Sequence, residues 1–366
     1  MLNLSLVVGD SWGAGVMGHN LVPTMASLTG IRMLAKVQPG HPMEKYRPPE
    51  FNPEVPYASD DPMLHLATGG VSFMPVNPNA WSWKRNVGWV YIEYPEQAKR
   101  NVPHVDRYYQ HLVAGSTWCR EKLEEIGLHP TVAIQGVDTD VFAPKEGEGP
   151  KNDGKFYIFS GGKAEYRKGT DIVIAAYKIL SQKYPDMHLI AAWGNLWLEI
   201  MNSLCASKHI RYIPTMGATW KDRIQANLTI NGISSDRYTL VDMVPNWKMP
   251  QIYRQAHIGL FPNRGEAGNN MPMCEAMACG IPIVATNGTG HSDVVLEDHA
   301  ICIGGPTVEN GWVEPELEEV VDAVEQAYKL GSIDRAIMGR KGMEFIKANL
   351  TWEKCAKDLL AVCETS

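Results

Sequence analysis

Short apolar runs alternate along the chain with stretches of helical periodicity. In the first third, the runs with the length and pattern of buried strands are Leu2–Val8, Ile31–Val37, Val87–Tyr91 and His111–Gly115. The last of these leads into a predicted helix that has Ser116 as its N-cap and Gly127 as its stop signal. Strands that alternate with helices predict a parallel sheet with helices on its faces.

A second series of the same kind follows residues 143–155, a stretch rich in Pro, Gly and charged residues that we interpret as a linker. The predicted strands of this series are Phe156–Ser160, His188–Trp193, Tyr238–Val241, Ile258–Pro262 and Ile281–Ala285. Its predicted helices are Asp171–Lys183, Met249–Gln255 and a helical tail from Glu314. The pattern predicts two Rossmann-like α/β domains, residues 1–145 and 150–350, with ligand at the carboxyl ends of the strands.

Composition narrows the class of protein. The chain has 366 residues, of which 45% are hydrophobic and 20% charged, with a formal net charge of −7. This acidic balance argues against a protein that binds nucleic acid through a broadly basic surface. No apolar run approaches the roughly 20 residues of a membrane span. The first residues lack the basic segment and cleavage site of a signal peptide, so we expect a cytoplasmic protein.

Seven cysteines are scattered along the chain without any Cys-x-x-Cys pair. The odd number and the wide spacing predict neither a disulfide framework nor a cysteine zinc site. We therefore expect reduced thiols.

A first glycine-rich loop, Gly13-x-Gly15-x-x-Gly18, follows the first predicted strand. Such a loop lets backbone amides at the start of a helix approach an anion. A dinucleotide site would also need an acid at the end of the second strand, and residues 36–40 contain none. Three interpretations stay open: a loop that lines a ligand cleft, a purely structural turn and, less favoured, a dinucleotide site.

A second glycine-containing loop has several basic residues that could bind an anion. The strand that ends before Gly162 is followed by Lys163, Arg167 and Lys168, and a helix starts near Thr170. A strand end, a flexible basic loop and a helix amino terminus can form an anion pocket. Two ammonium groups would clamp a diphosphate and neutralise its charge as it leaves. A solvated basic turn is the alternative.

The richest stretch lies between residues 259 and 287, where two carboxylates, Glu266 and Glu275, flank the predicted start of a short helix. Asn269 or Asn270 can cap that helix. The backbone amides of Asn270 and Met271 would then bind phosphate. Glu275 would accept hydrogen bonds from ribose hydroxyls. Alternatively, Glu275 only complements the helix dipole.

This stretch, Arg264-Gly-Glu-Ala-Gly-Asn-Asn-Met-Pro-Met-Cys-Glu-Ala-Met-Ala-Cys-Gly280-Ile-Pro-Ile-Val-Ala-Thr286, resembles the E-x7-E region of the retaining GT-B glycosyltransferases of family four, the glycosyl transferases of group 1. Segments 136–144, 162–169, 244–253 and 350–353 resemble further motifs of that family, in the family's order. The resemblance implies a GT-B fold, in which two Rossmann-like domains face a central cleft. Residues 1–145 would bind the acceptor, residues 150–350 the nucleotide sugar, and a helix at about 352–366 would return to the first domain.

Residue roles in the second domain follow from the resemblance alone. It implies that Glu275 binds the ribose, that Glu266 lies near the donor sugar as a catalytic residue, and that Lys163 and Lys168 hold the diphosphate. Lys168 would also stabilise the leaving group. The two glutamates are nine residues apart where the family has eight. Glu266 could therefore be displaced, or Ala267 could occupy its place.

The resemblance also assigns roles outside these two loops. It implies that the backbone at Met243 and Val244 borders the base, and that Gly13 and Gly15 line the donor cleft from the other domain. In the first domain, Glu93 follows a predicted strand, and we retain it as a catalytic candidate.

The implied reaction is retaining transfer of a hexose from a nucleoside diphosphate sugar, a UDP- or GDP-sugar by expectation, to a hydroxyl acceptor. No Asp-x-Asp pair lies in a metal-binding context, so we expect neither a metal nor another cofactor. The acceptor would be a glycan, a lipid-linked acceptor or a small molecule. Modification of DNA bases stays open as a less favoured alternative, because the first domain is not basic, and peripheral membrane contact stays open as well. Two alternatives remain: a catalytically inactive nucleotide-sugar-binding protein of the same fold, and an NAD-dependent oxidoreductase.

Overall fold

The computed structural model describes residues 1–37, 40–214 and 217–364. It divides into two compact units, which are described separately. Unit 1 comprises Met1–Asp138, Ala267–Asn269 and Asn349–Ser366; unit 2 comprises Thr139–Glu266 and Asn270–Ala348.

Unit 1 is built around a parallel sheet with the strand order β2-β1-β4-β6-β7-β8. The strands of unit 1 are β1 (Leu2–Ser5), β2 (Ile31–Leu34), β3 (Tyr57–Ser59), β4 (Met63–Gly70), β5 (Ala80–Ser82), β6 (Asn86–Ile92), β7 (His111–Ala114) and β8 (Thr131–Val132), of which β3 and β5 pair separately. Its first helices are α1 (Gly13–Leu28), α2 (Pro95–Ala98), α3 (Val105–Tyr108) and α4 (Thr117–Glu124). Ser116 caps α4 as expected, since its hydroxyl accepts from the Cys119 amide at 3.0 Å.

The first glycine-rich loop has a clear packing role. A Cβ on Gly18 would lie 1.9 Å from the Val7 carbonyl oxygen, and one on Gly15 would lie 2.9 Å from the Cα of Gly9. The Gly9 amide also donates to the Gly15 carbonyl at 3.0 Å. The glycines therefore let the start of α1 pack directly against the segment that follows β1.

Unit 2 contains the second parallel sheet, with the order β11-β10-β9-β12-β13-β14. Its strands are β9 (Phe156–Gly161), β10 (Met187–Ala192), β11 (Tyr238–Leu240), β12 (Ile258–Phe261), β13 (Ile283–Thr286) and β14 (Ala300–Ile303). Its helices are α5 (Thr170–Lys183), α6 (Leu198–Met201), α7 (Trp220–Ile230), α8 (Pro250–Tyr253), α9 (Met271–Ala278), α10 (Leu317–Lys329) and α11 (Ser332–Asn349, whose last residue falls in unit 1).

Helix α12 (Trp352–Glu364) is the last described helix and belongs to unit 1. The last two residues of the helix predicted at 352–366 lie outside the described residues. Among the described residues, no helix is both long enough and apolar enough to cross a membrane.

The core of unit 2 explains why its strands read as continuous apolar runs. Ile158 of β9, Leu260 of β12 and Val284 of β13 are each about 1% exposed and belong to one cluster, against which α5 and α10 pack. A parallel sheet that is covered on both faces leaves no solvent side for polar residues.

Candidate active site

The order of strands in unit 2 brings the two predicted ligand loops together. Strands β9 and β12 are parallel neighbours, so the loops that follow them leave the same edge of the sheet side by side. The loop after β9 carries Lys163, Arg167 and Lys168; the loop after β12 carries Glu266. Arg167 and Lys168 thereby come within hydrogen-bonding distance of Glu266, although nearly 100 residues separate them in the sequence.

Glu266 is the centre of a buried charged cluster. Its Oε1 accepts from the Lys168 ammonium at 2.5 Å and from the Asn263 side-chain amide. Its Oε2 accepts from Nη1 of Arg167 at 3.1 Å. Arg167 is only 2% exposed and Glu266 4%. Both carboxylate oxygens are thus bonded to cations within the loops of unit 2.

These cations decide the protonation state of the glutamate. Burial alone would raise the pKa of Glu266, but the charges of Lys168 and Arg167 outweigh it and lower the pKa to about 2. Burial also lowers the pKa of Lys168, against the opposing pull of Glu266. We take both groups as charged near neutral pH, because each provides the other's counter-charge.

Arg167 continues the cluster toward a second glutamate. Its Nη2 donates to Glu165 Oε1 at 2.7 Å, while Nη1 also reaches the Gly265 carbonyl at 2.7 Å. The Lys163 ammonium lies 3.7 Å from the same Glu165 oxygen and 5.8 Å from the centre of the Trp197 ring. The Lys163 side chain is 35% exposed, against 14% for Lys168, so it is the more accessible cation of the predicted pair.

Arg264, the first residue of the motif, has a structural role. Its guanidinium binds Asp171 through Nη1 and Nη2 at 2.7 and 3.0 Å. It also binds Glu314 at 2.8 and 2.9 Å and lies 3.6 Å over the Tyr166 ring. This clamp joins the loops that carry Lys168 and Glu266 to the segment before α10.

Glycine is required where these two loops touch. Gly169 is the N-cap residue of α5, with φ of +68°, and a Cβ there would lie 2.0 Å from the Pro262 carbonyl oxygen. The left-handed conformation and the close approach both exclude a side chain. The position of Lys168 next to Glu266 depends on this contact, because Lys168 directly precedes it.

Glu275 lies in a different electrostatic setting on α9. Its two oxygens accept from Asn246 Nδ2 and from the Tyr253 hydroxyl, each at 2.7 Å. Burial raises the pKa of Glu275 to about 7, and the two neutral hydrogen-bond donors offset this only in part. It therefore titrates near neutrality, unlike Glu266.

The start of α9 differs from the predicted cap. Asn270 holds the N-cap position in a left-handed conformation with φ of 58°, but its side chain makes no capping hydrogen bond. Its Nδ2 instead lies 3.1 Å from Nε2 of His291, whose Nδ1 lies 3.1 Å from the Thr286 carbonyl. That carbonyl can only accept, so Nδ1 carries the proton and the Asn270 amide donates to Nε2. Side-chain capping by Asn270 is therefore wrong, because the amide serves the buried imidazole.

The segment predicted to border the base also lies at this edge of the sheet, after β11. Met243 packs closely on Gly194, because a Cβ added to Gly194 would lie 2.6 Å from the Cγ of Met243. Val244 is partly exposed one residue further on. Asn246, two residues beyond Val244, donates to Glu275, so this segment and α9 form one bonded group.

The other predicted residues lie in unit 1. Gly13 and Gly15 open α1, and Glu93 directly follows β6, where its amide donates to the Gly70 carbonyl at 2.8 Å. Ala267 and Asn269, from the stretch that lengthens the glutamate spacing to nine, also fall in unit 1. The Ala267 carbonyl accepts from the Ser116 hydroxyl and Asn269 Nδ2 donates to the Gln135 carbonyl, each at 2.8 Å.

Sequence reasoning missed five polar residues that contact the predicted site residues, namely Asn246, Tyr253, Glu165, Asn263 and His291. Asn246 and Tyr253 had a usable signal, since both lie in the segment 244–253 that resembles a family motif. The others take their roles from strand order, which places distant loops side by side. Among the described residues, no three His, Cys, Asp or Glu side chains gather in a way that could hold a metal ion.

Known proteins resemble this chain over much of its length. Residues 155–329 match the family described as Glycosyl transferases group 1. The chain is 22% identical over 242 residues to spore coat protein SA of Bacillus subtilis, covering 63% of this chain and 57% of that protein. It is 27% identical over 244 residues to the lipopolysaccharide core biosynthesis mannosyltransferase LpsB of Rhizobium meliloti, covering 64% and 60%. The chain thus spans less than two thirds of the length of either relative.

Similarity of fold extends over the whole chain. The structure of HepE from Anabaena in complex with UDP and glucose aligns with a TM-score of 0.68 and 13% identity, covering 100% of this chain and 99% of that one. The predicted GT-B architecture of two parallel-sheet Rossmann-like domains is confirmed. The family match covers residues 155–329, just under half of the chain, and the structural similarity extends only the fold, not the family, to the rest.

Proposed function

We propose that this protein is a retaining, metal-independent hexosyltransferase that uses a nucleoside diphosphate sugar as donor and a hydroxyl group as acceptor. The observation that carries the proposal is the convergence, at one sheet edge of unit 2, of two lysines, the start of α9 and two buried glutamates of opposite protonation behaviour. The mannosyltransferase relative LpsB and the HepE structure with UDP and glucose support a nucleotide-sugar donor.

Each part of a donor has a fitting partner in this group. Lys163 and Lys168 would hold the diphosphate together with the backbone amides at Asn270 and Met271. Glu275 would accept from ribose hydroxyls through the lone pairs that Asn246 and Tyr253 leave unused. The backbone at Met243 and Val244 would border the base.

The reaction would break the bond between the anomeric carbon and the diphosphate oxygen and form a bond from the same face to the acceptor oxygen. The acceptor proton would pass to the leaving diphosphate. Lys163 and Lys168 would stabilise the charge that develops on the diphosphate. Glu266 would contact a donor hydroxyl and stabilise the cationic sugar. No further cofactor is required by this route, and Glu93, Gly13 and Gly15 remain candidates from unit 1.

A donor screen followed by turnover tests the proposal. Thermal shift against UDP-, GDP- and ADP-sugars should identify a donor that stabilises the fold by about 2.7 kcal/mol at a hundredfold excess over Kd. With that donor, Lys168→Met should lower kcat/KM by about 10²-fold. The matched variant Lys341→Met removes an exposed lysine paired with Asp298 and should leave turnover unchanged.

The remaining claims have separate readouts. Turnover should persist in EDTA, and nuclear magnetic resonance should show that the product keeps the donor's anomeric configuration. Donor binding without turnover across a panel of glycan, lipid-linked and small hydroxyl acceptors would instead indicate an inactive nucleotide-sugar-binding protein. Lys168→Met turning over at the parent rate would refute the assigned site.

A further inference from the structure

The Lys168 ammonium has two anionic partners in the proposed function, Glu266 and the donor diphosphate. Its ammonium is bonded at 2.5 Å to Glu266, which holds a full negative charge because its pKa is about 2. A diphosphate that binds the same ammonium would bring further negative charge close to that carboxylate. Two anions on one cation repel each other, and the repulsion is strong where water is scarce.

Glu266 has other partners that could hold it if Lys168 turned away. Arg167 donates to its second oxygen, and Asn263 donates to the same oxygen that Lys168 uses. The Lys168 side chain is partly accessible at 14%, whereas Arg167 is 2% exposed and fixed from two sides. Of the two cations on Glu266, Lys168 is therefore the one able to change partners.

Arg167 is suited to stay in place. One guanidinium nitrogen serves Glu266 and the Gly265 carbonyl, and the other serves Glu165. A planar fork with fixed donor directions can span two carboxylates at once, which an ammonium on a flexible chain does poorly.

We propose that donor binding exchanges the partner of Lys168 from Glu266 to the diphosphate, and that Arg167 is the positioning residue that keeps Glu266 ionised and oriented during this exchange. The proposal rests on the function proposed above. In the donor-free protein the Glu266 carboxylate occupies the Lys168 ammonium. The diphosphate replaces the carboxylate as the partner of this ammonium when the donor binds. The freed Glu266 oxygen then becomes available to a donor hydroxyl.

The first test measures binding without turnover. Calorimetry with pyrophosphate, and then with UDP, GDP and ADP, should give about tenfold tighter binding to Glu266→Gln than to the parent, because the competing carboxylate is gone. A general loss of negative charge would also favour anions. The comparison is therefore repeated with Lys168→Met, in which adding Glu266→Gln should give less than about a twofold change.

Outcomes separate the two proposals. Equal or weaker binding to Glu266→Gln, or the same tightening without Lys168, overturns the exchange and leaves the proposed function standing. A parent protein that binds none of the four anions refutes the proposed function, and the exchange with it.

The second test concerns Arg167 and uses the identified donor. Arg167→Lys should lower kcat about tenfold or more while the donor KM changes less than about threefold, since Lys168 still meets the diphosphate. The acidic limb of the kcat profile should move to higher pH, because in the donor complex Lys168 has turned to the diphosphate and Glu266 is faced by Asn263, His291 and a lysine at position 167 that lacks the arginine fork.

Arg264→Lys is the matched control. Arg264 is equally buried, at 1% exposed, and also bridges two carboxylates, but neither of them is Glu266. Both variants should lose similar stability, and only Arg167→Lys should move the pH profile. Equal losses of kcat in the two variants, with unmoved profiles, would show that Arg167 is merely structural and would overturn its assigned role.

Discussion

Replacement of Glu275 by Gln tests the most unusual protonation state in the second unit. The carboxyl is buried between the Asn246 amide and the Tyr253 hydroxyl, and its pKa in the folded protein is raised to about 7 from an ordinary value of 4.5. The replacement preserves both contacts, because Gln can accept from Asn246 through its oxygen and donate to the tyrosine oxygen.

The sign and size of the effect follow from linkage. Between pH 4.5 and 7 the folded state binds more protons than the unfolded state at this carboxyl, so stability falls as pH rises and levels off above pH 7. The two pKa values give a destabilisation of about 1 kcal/mol at pH 5 and about 3 kcal/mol at pH 8. Glu275→Gln cannot titrate at this position, so its stability relative to the parent should improve by about 2 kcal/mol from pH 5 to pH 8.

Urea unfolding followed by tryptophan fluorescence at the two pH values measures this difference, and all titrations shared by parent and variant cancel in it. Tyr253→Phe provides an independent check of direction. It removes a donor that favours the carboxylate, so the decline of stability should extend to higher pH than in the parent. A pH-independent difference between Glu275→Gln and the parent, or one of opposite sign, would refute the raised pKa.

Three further predictions use the same structure. Gly169→Ala should lower the free energy of unfolding by about 3 kcal/mol, because of its left-handed backbone and its contact with the Pro262 carbonyl, whereas Gly149→Ala, which meets nothing within 4 Å, should stay within about 0.5 kcal/mol in the same urea assay. Arg264→Lys should lower the free energy of unfolding by about 3 kcal/mol in urea, because lysine cannot bind Asp171 and Glu314 together as the planar guanidinium does. An unchanged free energy of unfolding would show that these contacts do not stabilise the fold. Donor affinity should fall by up to about tenfold as the pH drops from 8 to 5 in calorimetry with a nucleotide sugar, because protonated Glu275 is a weaker acceptor for ribose hydroxyls, and Glu275→Gln should remove this pH dependence.

The sequence predicted the strands of unit 2 well where the apolar runs were buried on both faces. The predicted Phe156–Ser160 and Ile258–Pro262 agree with β9 and β12 to within one residue at either end. Helix α7 and strand β14 were not predicted. Trp220–Ile230 has weak periodicity, and Ala300–Ile303 is too short to stand out from its surroundings.

Candidate residues were easier to identify than their partners. The two basic positions and the two glutamates were visible as residue types near strand ends, which is where ligands bind in such folds. Their pairing depends on β9 and β12 being neighbours, a property of topology that periodicity does not encode. For the same reason the sequence suggested a free anion pocket, whereas Lys168 is bonded to Glu266 in the structure.

The two glutamates show how neighbours, not residue type or burial, divide chemical roles. Both are 4% exposed, and both accept from two or more side chains. Glu266 is faced by two cations and stays ionised even in acid, while Glu275 is faced by neutral donors and titrates near pH 7. A residue that must present a fixed negative charge to a sugar needs the first setting. One that only accepts from neutral hydroxyls tolerates the second, so exchanging the surroundings of these two carboxylates would exchange their chemistry.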